Sequence, residues 1–150
     1  MHSSELRKRL ATGLATVLAA IVIAGCNQDR ADNTTGTTGR GLEVEEVDIG
    51  RSLNADKSIG DNTTSFKPND TIYVSVKTDG SAPSAQLKAR WTFSDGQVVD
   101  ESTQTISPTG EARTEFHIAK PDGFPPGKYK VEVHLNGQPA GTKEFEVERP

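Results

Sequence analysis

The chain has a single cysteine, Cys26, so no disulfide can close within it and any fold must stand on packing alone. Aromatic residues are scarce at 5%, with one tryptophan, and hydrophobic residues reach only 33%. So few apolar side chains cannot fill a thick helical core. They have to sit at chosen positions, which suits thin strands that alternate apolar and polar residues. Basic clusters are missing outside residues 1–9 and the formal net charge is −4. The electrostatic footprint of a nucleic-acid-binding chain is therefore absent. A comfortable membrane span is missing as well: the uncharged run 10–25 falls short of the ~20 apolar residues a transmembrane helix needs.

Signatures of catalysis are equally thin. There is no Gly-x-Ser-x-Gly, no spare thiol, and neither Gly41 nor Gly50 opens a phosphate loop ending in Lys-Ser. His117 and His134 are the only histidines beyond the leader, and strand alternation turns both outward. They are expected on different sheets, too far apart to share a metal. Asn54, Asp56 and Ser58 faintly match an oxygen-rich calcium loop, but Ile59 stands where that loop needs glycine. The acidic rows Glu43/Glu45/Glu46 and Asp100/Glu101 read as charges that keep edge strands soluble. No enzyme, no catalytic residue, no metal and no dissociable cofactor are expected.

What the sequence does contain begins at the N-terminus. Arg7-Lys8-Arg9 precedes the uncharged run 10–25, which ends in the small residues Ala24 and Gly25 before Cys26. A basic segment, a short apolar segment and a small-residue cleavage site make a secretory signal. Ile23-Ala24-Gly25-Cys26 resembles the lipobox of bacterial lipoproteins. The resemblance implies that residues 1–25 are removed and that Cys26 carries a diacylglycerol and an N-acyl chain. One acyl chain holds a protein only marginally, whereas two or more hold it stably. Loss of the leader removes three cations and one carboxylate, leaving a net charge of −6. Asn27, in place of an aspartate after the cysteine, resembles the pattern sorted to an outer membrane. The expected location is the bacterial cell envelope, facing the periplasm where two membranes are present.

Residues 26–41 read as a lipidated N-terminus and flexible linker. Asn33-Thr34-Thr35-Gly36-Thr37-Thr38-Gly39 is low-complexity, and so polar a stretch cannot offset its ordering entropy. Its root-mean-square reach is on the order of 20 Å. Three Asn-x-Thr triplets, at Asn33, Asn62 and Asn69, are chance matches to a glycosylation pattern in a chain with a bacterial leader.

From residue 42 to 150 short alternating runs are punctuated by Gly, Pro, Asp and Asn, as in an all-β sandwich. Leu42 and Val44 fall in one phase, Val47 and Ile49 in the other, so the first strand bulges or changes sheet. Residues 50–69 read as a long connection with Phe66 as its anchor. Inward rows follow at Ile72/Val74/Val76, Leu87/Ala89/Trp91/Phe93, Ala112/Thr114/Phe116/Ile118, Tyr129/Val131/Val133/Leu135 and Phe145/Val147. Asp95-Gly96 and Asn136-Gly137 are hairpin turns that accept positive φ. A weaker, Thr-rich strand at residues 98–106 is expected at a sheet edge.

These seven strands resemble an immunoglobulin-like sandwich: Trp91 stands where that fold keeps its core tryptophan, and Asp122 with Gly127-Lys128-Tyr129 resembles its tyrosine corner. Val131 replaces the cysteine of antibody-type domains, so apolar packing stands in for their disulfide. A small jelly roll or open barrel is the alternative architecture. Tyr73 and Phe124 are the aromatics left over as candidate partner contacts; a Phe124 folded beneath its Pro-rich loop as a plug is the competing placement. The expected function is a lipid-anchored, non-catalytic interaction or structural module contacting an envelope protein or glycan. The alternative is a small-ligand or ion-binding lipoprotein serving a transporter or sensor, which needs an enclosed pocket of ~300 Å³ or more.

Overall fold

The computed structural model describes residues 41–150; the leader, Ile23-Ala24-Gly25-Cys26 and the stretch up to residue 40 lie outside the described residues. Eight strands form, with no helix among the described residues: β1 (Glu43–Gly50), β2 (Ser65–Phe66), β3 (Ile72–Asp79), β4 (Ala85–Phe93), β5 (Val98–Ile106), β6 (Ala112–Ile118), β7 (Gly127–Leu135) and β8 (Gln138–Val147). They make a three-stranded sheet, β1-β3-β6, and a five-stranded sheet, β2-β8-β7-β4-β5. Every neighbouring pair is antiparallel except β2 and β8. This is the expected all-β sandwich with one strand more than the seven expected.

The alternation places the core. Ile72, Val74 and Val76 are buried on β3, Leu87, Ala89 and Trp91 on β4, and Val131 and Val133 on β7. They join one hydrophobic cluster with Phe66, Phe116, Phe124, Tyr129, Phe145 and Val147. Cross-strand registry lines up Phe93, Tyr129 and Phe145 on three adjacent strands. Tyr129 stacks on Phe145 at 5.3 Å and meets Phe93 edge-on at 4.9 Å. Trp91 meets Phe145 edge-on at 6.0 Å. Aromatic pairs at such separations add to their burial about 0.5–1.5 kcal/mol each. The Tyr129 hydroxyl donates to the carbonyl of Pro125 at 2.5 Å, the bond that defines a tyrosine corner. Val131, where antibody-type domains have a cysteine, is fully buried in the cluster that also holds Val74 of the other sheet.

The phase break in β1 is a bulge. Val44 pairs with Thr78 and Glu46 with Lys77, leaving Glu45 as the extra residue, and β1 stays in its sheet. Asn136 and Gly137 close the β7–β8 hairpin with φ values of 50° and 79°. Gly96 adopts φ 85° in the β4–β5 turn.

The connection after β1 departs from the reading as an open loop. Arg51 N–H donates to Asp61 C=O and Gly60 N–H to Ser52 C=O, both at 2.9 Å, and Leu53 bridges Ile59. The segment folds back as an irregular hairpin across Gly50, where a Cβ would lie 2.1 Å from the Asp61 carbonyl oxygen. Beyond it Phe66, 0% exposed, enters β2 and adds a short parallel strand to β8. Arg51 fixes this arrangement: its Nε reaches Asp70 at 3.1 Å and its Nη2 the Ser65 carbonyl at 2.7 Å.

Phe124 is corrected as a candidate contact. It is 3% exposed, its N–H donates to the Pro68 carbonyl at 2.8 Å, and its ring meets Tyr129 edge-on. Burial of the ring beneath residues 120–127 makes it the plug of that crossover.

Candidate functional site

The exposed backbone of β5 is the feature that the fold leaves open. β5 ends the five-stranded sheet, paired to β4 on one side only. Eight of its nine residues are exposed and Ile106 is half-buried. β1 and β6 are also edge strands, each met on its free side by residues of the other sheet. β1 packs beside β8 and its Val47 closes on Gly141, where a Cβ would lie 2.6 Å from the valine methyl. The free side of β6 is met by Gln104, whose Nε2 donates to the Glu115 carbonyl at 2.6 Å. That bond also holds β5 in place as an ordered strand. Its outer row is charge-balanced near the middle, with Lys88 Nζ 3.2 Å and Arg90 Nε 3.7 Å from the Glu101 carboxylate. Val98 and Val99, 43% and 36% exposed, are the exposed large hydrophobics among the described residues, and both lie on this strand.

The other candidates do not converge. His117 lies on β6 and His134 on β7, in different sheets as expected. The His117 ring sits 3.2 Å from Glu115 and 5.4 Å from the ring of Tyr73. Tyr73 is thus a half-buried member of an outer-face row on the three-stranded sheet, leaning on a histidine. Asn54, Asp56 and Ser58 satisfy one another: Ser58 donates from both N–H and Oγ to Asp56, and Asn54 Nδ2 donates to Ser58 Oγ at 2.9 Å. Those Ser58 bonds hold the Asp56 carboxyl below its ordinary range. Ile59 sits in a bridge with Leu53. No cluster of three or more metal-ligating residues occurs among the described residues.

At the Phe93 end of the five-stranded sheet an open groove of about 650 Å³ runs between Ser65, Ser94, Lys128, Lys130, Glu144 and Glu146. Phe93 lines it, with its ring lying against Gly127, where a Cβ would come within 2.8 Å. Its walls mix ammonium and carboxylate groups and it opens broadly to water. Sequence reasoning did not single out Arg51 or Gln104. Their roles arise from long-range contacts that no local pattern encodes.

No protein-family model matches the chain, and no curated protein matches it in sequence. Solved structures match in fold. An immunoglobulin-like protein from Pseudomonas aeruginosa is similar over 74% of this chain and 99% of its own, at 13% identity and a TM-score of 0.52. A cycloisomaltooligosaccharide glucanotransferase from Paenibacillus sp., complexed with cycloisomaltoheptaose, is similar over 72% of this chain at 15% identity and a TM-score of 0.53. This chain spans only 14% of that enzyme's length. Strand order, core and these likenesses agree: residues 43–147 form an immunoglobulin-like β-sandwich.

Proposed function

We propose that the protein is lipid-anchored in a bacterial cell envelope through Cys26, and that its sandwich is a non-catalytic module binding an extended segment along β5. The observation that carries the second half is the one-sided pairing of β5, exposed along eight of nine residues. An uncovered row of backbone donors and acceptors takes a further strand with no special side-chain chemistry. The first half is supported by the basic leader, the short apolar run and the lipobox-like Ile23-Ala24-Gly25-Cys26. A ligand-binding reading would use the groove beside Lys128 and Glu146, whose open form supports it less than the edge supports strand addition.

Mass spectrometry tests the anchor. The wild-type chain is expected to lose residues 1–25 and gain diacylglycerol and acyl mass, and Cys26→Ala to gain none. A Cys26→Ala protein that still carries lipid mass overturns it. For the module, a photo-reactive residue at Thr103 is expected to give one defined adduct in cells, with none from the same group at Glu144 on β8. No adduct at Thr103 overturns the edge as a binding site.

A further inference from the structure

We infer that the groove at the Phe93 end of the five-stranded sheet binds a neutral, polyhydroxylated chain, an oligosaccharide. This site is separate from the strand-binding edge and does not depend on it. β7 and β8 supply the groove with two facing pairs of charges. Lys128 lies opposite Glu146 and Lys130 opposite Glu144, so an ammonium meets a carboxylate directly across the ladder in each. Neither pair closes. Lys130 turns to Glu132 at 3.4 Å, and Lys128, Glu144 and Glu146 make no salt bridge among the described residues. Their donors and acceptors stay available to a ligand.

The charges select the ligand class. Two ammonium and two carboxylate groups balance, so an anion or a cation gains at one group what it loses at the neighbour. An apolar ligand finds little beyond the half-buried Phe93, because Tyr129 and Phe145 are only 3% exposed. A peptide presents N–H and C=O in fixed alternation, and each must meet the right charge. A hydroxyl meets either: it donates to Glu144 or Glu146 and accepts from Lys128 or Lys130. One carboxylate can also take two neighbouring hydroxyls. Phe93 then offers an apolar surface to the carbon-bound hydrogens of a sugar ring. At about 650 Å³ the groove has the size of a ligand site, and its broad opening suits a chain that runs on past it. It also lies away from the N-terminal attachment. The chain enters where Gly41 bridges Ser81 and Glu43 pairs with Asp79, near the start of β4, whereas Phe93 ends that strand. A protein held at a surface by its N-terminus therefore keeps this groove at its far end.

The test is calorimetric titration of the full-length chain, held in a detergent without a sugar headgroup. The probes are maltohexaose, cellohexaose and chitohexaose, with hexaglycine and dextran sulfate beside them. At least one neutral hexasaccharide is expected to bind, with an affinity that changes less than about 2-fold between low and high salt. Glu146→Gln and Lys128→Gln should each weaken it roughly 3- to 15-fold, the difference between a hydrogen bond to a charged and to a neutral group. Both positions are exposed, so the fold withstands the changes. Glu111→Gln, at the opposite end of the domain, should leave the affinity unchanged. Failure of all three sugars to bind, or binding indifferent to both groove variants, overturns the saccharide site. Binding of hexaglycine or dextran sulfate in their place overturns the ligand class. The Thr103 adduct is decided separately: a photo-reactive group at Glu144 removes one of the groove's carboxylates, so it stays silent in that experiment whether or not a saccharide binds.

Discussion

Asp48 shows how a single side chain on the outer face of a sheet can set a pH dependence. It pairs in register with Ser75 on β3, which carries Glu115 on its other side. Burial, and secondarily the charge of Glu46, raises its carboxyl above the ordinary value, with Lys143 and Arg113 offsetting part of the effect. The folded chain therefore holds this proton more tightly than the unfolded chain does. The stability tied to it is fully present below the ordinary carboxylate range and is lost as pH rises through the raised value. Asp48→Asn should stabilise the protein at pH 7, by about 0.5 kcal/mol on the scale of surface substitutions. The gain should vanish below about pH 4. Melting curves of both proteins across that range check it, and a gain that grows toward acid would contradict the assignment. At this scale the inward residues were legible from alternation alone, and all of Ile72, Val74, Val76 and Trp91 are fully buried. Phe124 was legible only as one of two placements, contact or plug, because the bond from its N–H to Pro68 that fixes the buried one comes from a distant loop. Phe124→Ala should cost about 3–5 kcal/mol, the range for emptying a buried aromatic site, as read by chemical denaturation.

Elements followed the sequence where their cause was local. The Asn136-Gly137 turn adopts the positive φ values its residues favour, and the bulge in β1 falls where the apolar phase breaks. The segment between β1 and β3 had no such signal. Its order comes from Arg51, which reaches Asp70 and Ser65 across 19 and 14 residues of chain. The close crossing over Gly50 adds to it. Neither has a periodicity to read. Gly50→Ala tests this element directly, since the new methyl must displace the Asp61 carbonyl or the Ile59 side chain. Overpacking of this kind costs about 1–3 kcal/mol. The expected result is faster proteolytic cleavage within residues 51–64 as well as a lower melting temperature. A lower melting temperature with unchanged cleavage there would mean that the strain is spread through β1 instead. The candidate site divides in the same way. The exposure of β5 followed from its weak, Thr-rich pattern, whereas its tie to β6 through Gln104 depends on the packing of two sheets.

At the scale of the whole molecule, the two sheets share one hydrophobic cluster instead of building separate ones. Ile49, Val74 and Phe116 of one sheet belong with Trp91, Val131 and Phe145 of the other. Neither sheet can lose its partner without exposing its own inner face, so the unfolding of one exposes the core of both. With no disulfide to stabilise a half-opened form, the expected behaviour is a single cooperative transition, as for most domains below 150 residues. The lone tryptophan makes this measurable. Trp91 is 0% exposed on β4 and touches Phe145 of β8, so its fluorescence reports the five-stranded sheet and the shared core. Far-ultraviolet circular dichroism reports the strands of both sheets. The two probes should give coincident denaturation curves with one midpoint. Were the three-stranded sheet to melt first, the dichroism would fall while Trp91 stayed shielded, and the curves would separate. The Phe124→Ala variant sharpens the comparison, because its site lies on the crossover from β6 to β7 that ties the sheets together. In a single cooperative unit that substitution shifts both curves by the same amount; in two loosely coupled sheets it would pull them apart.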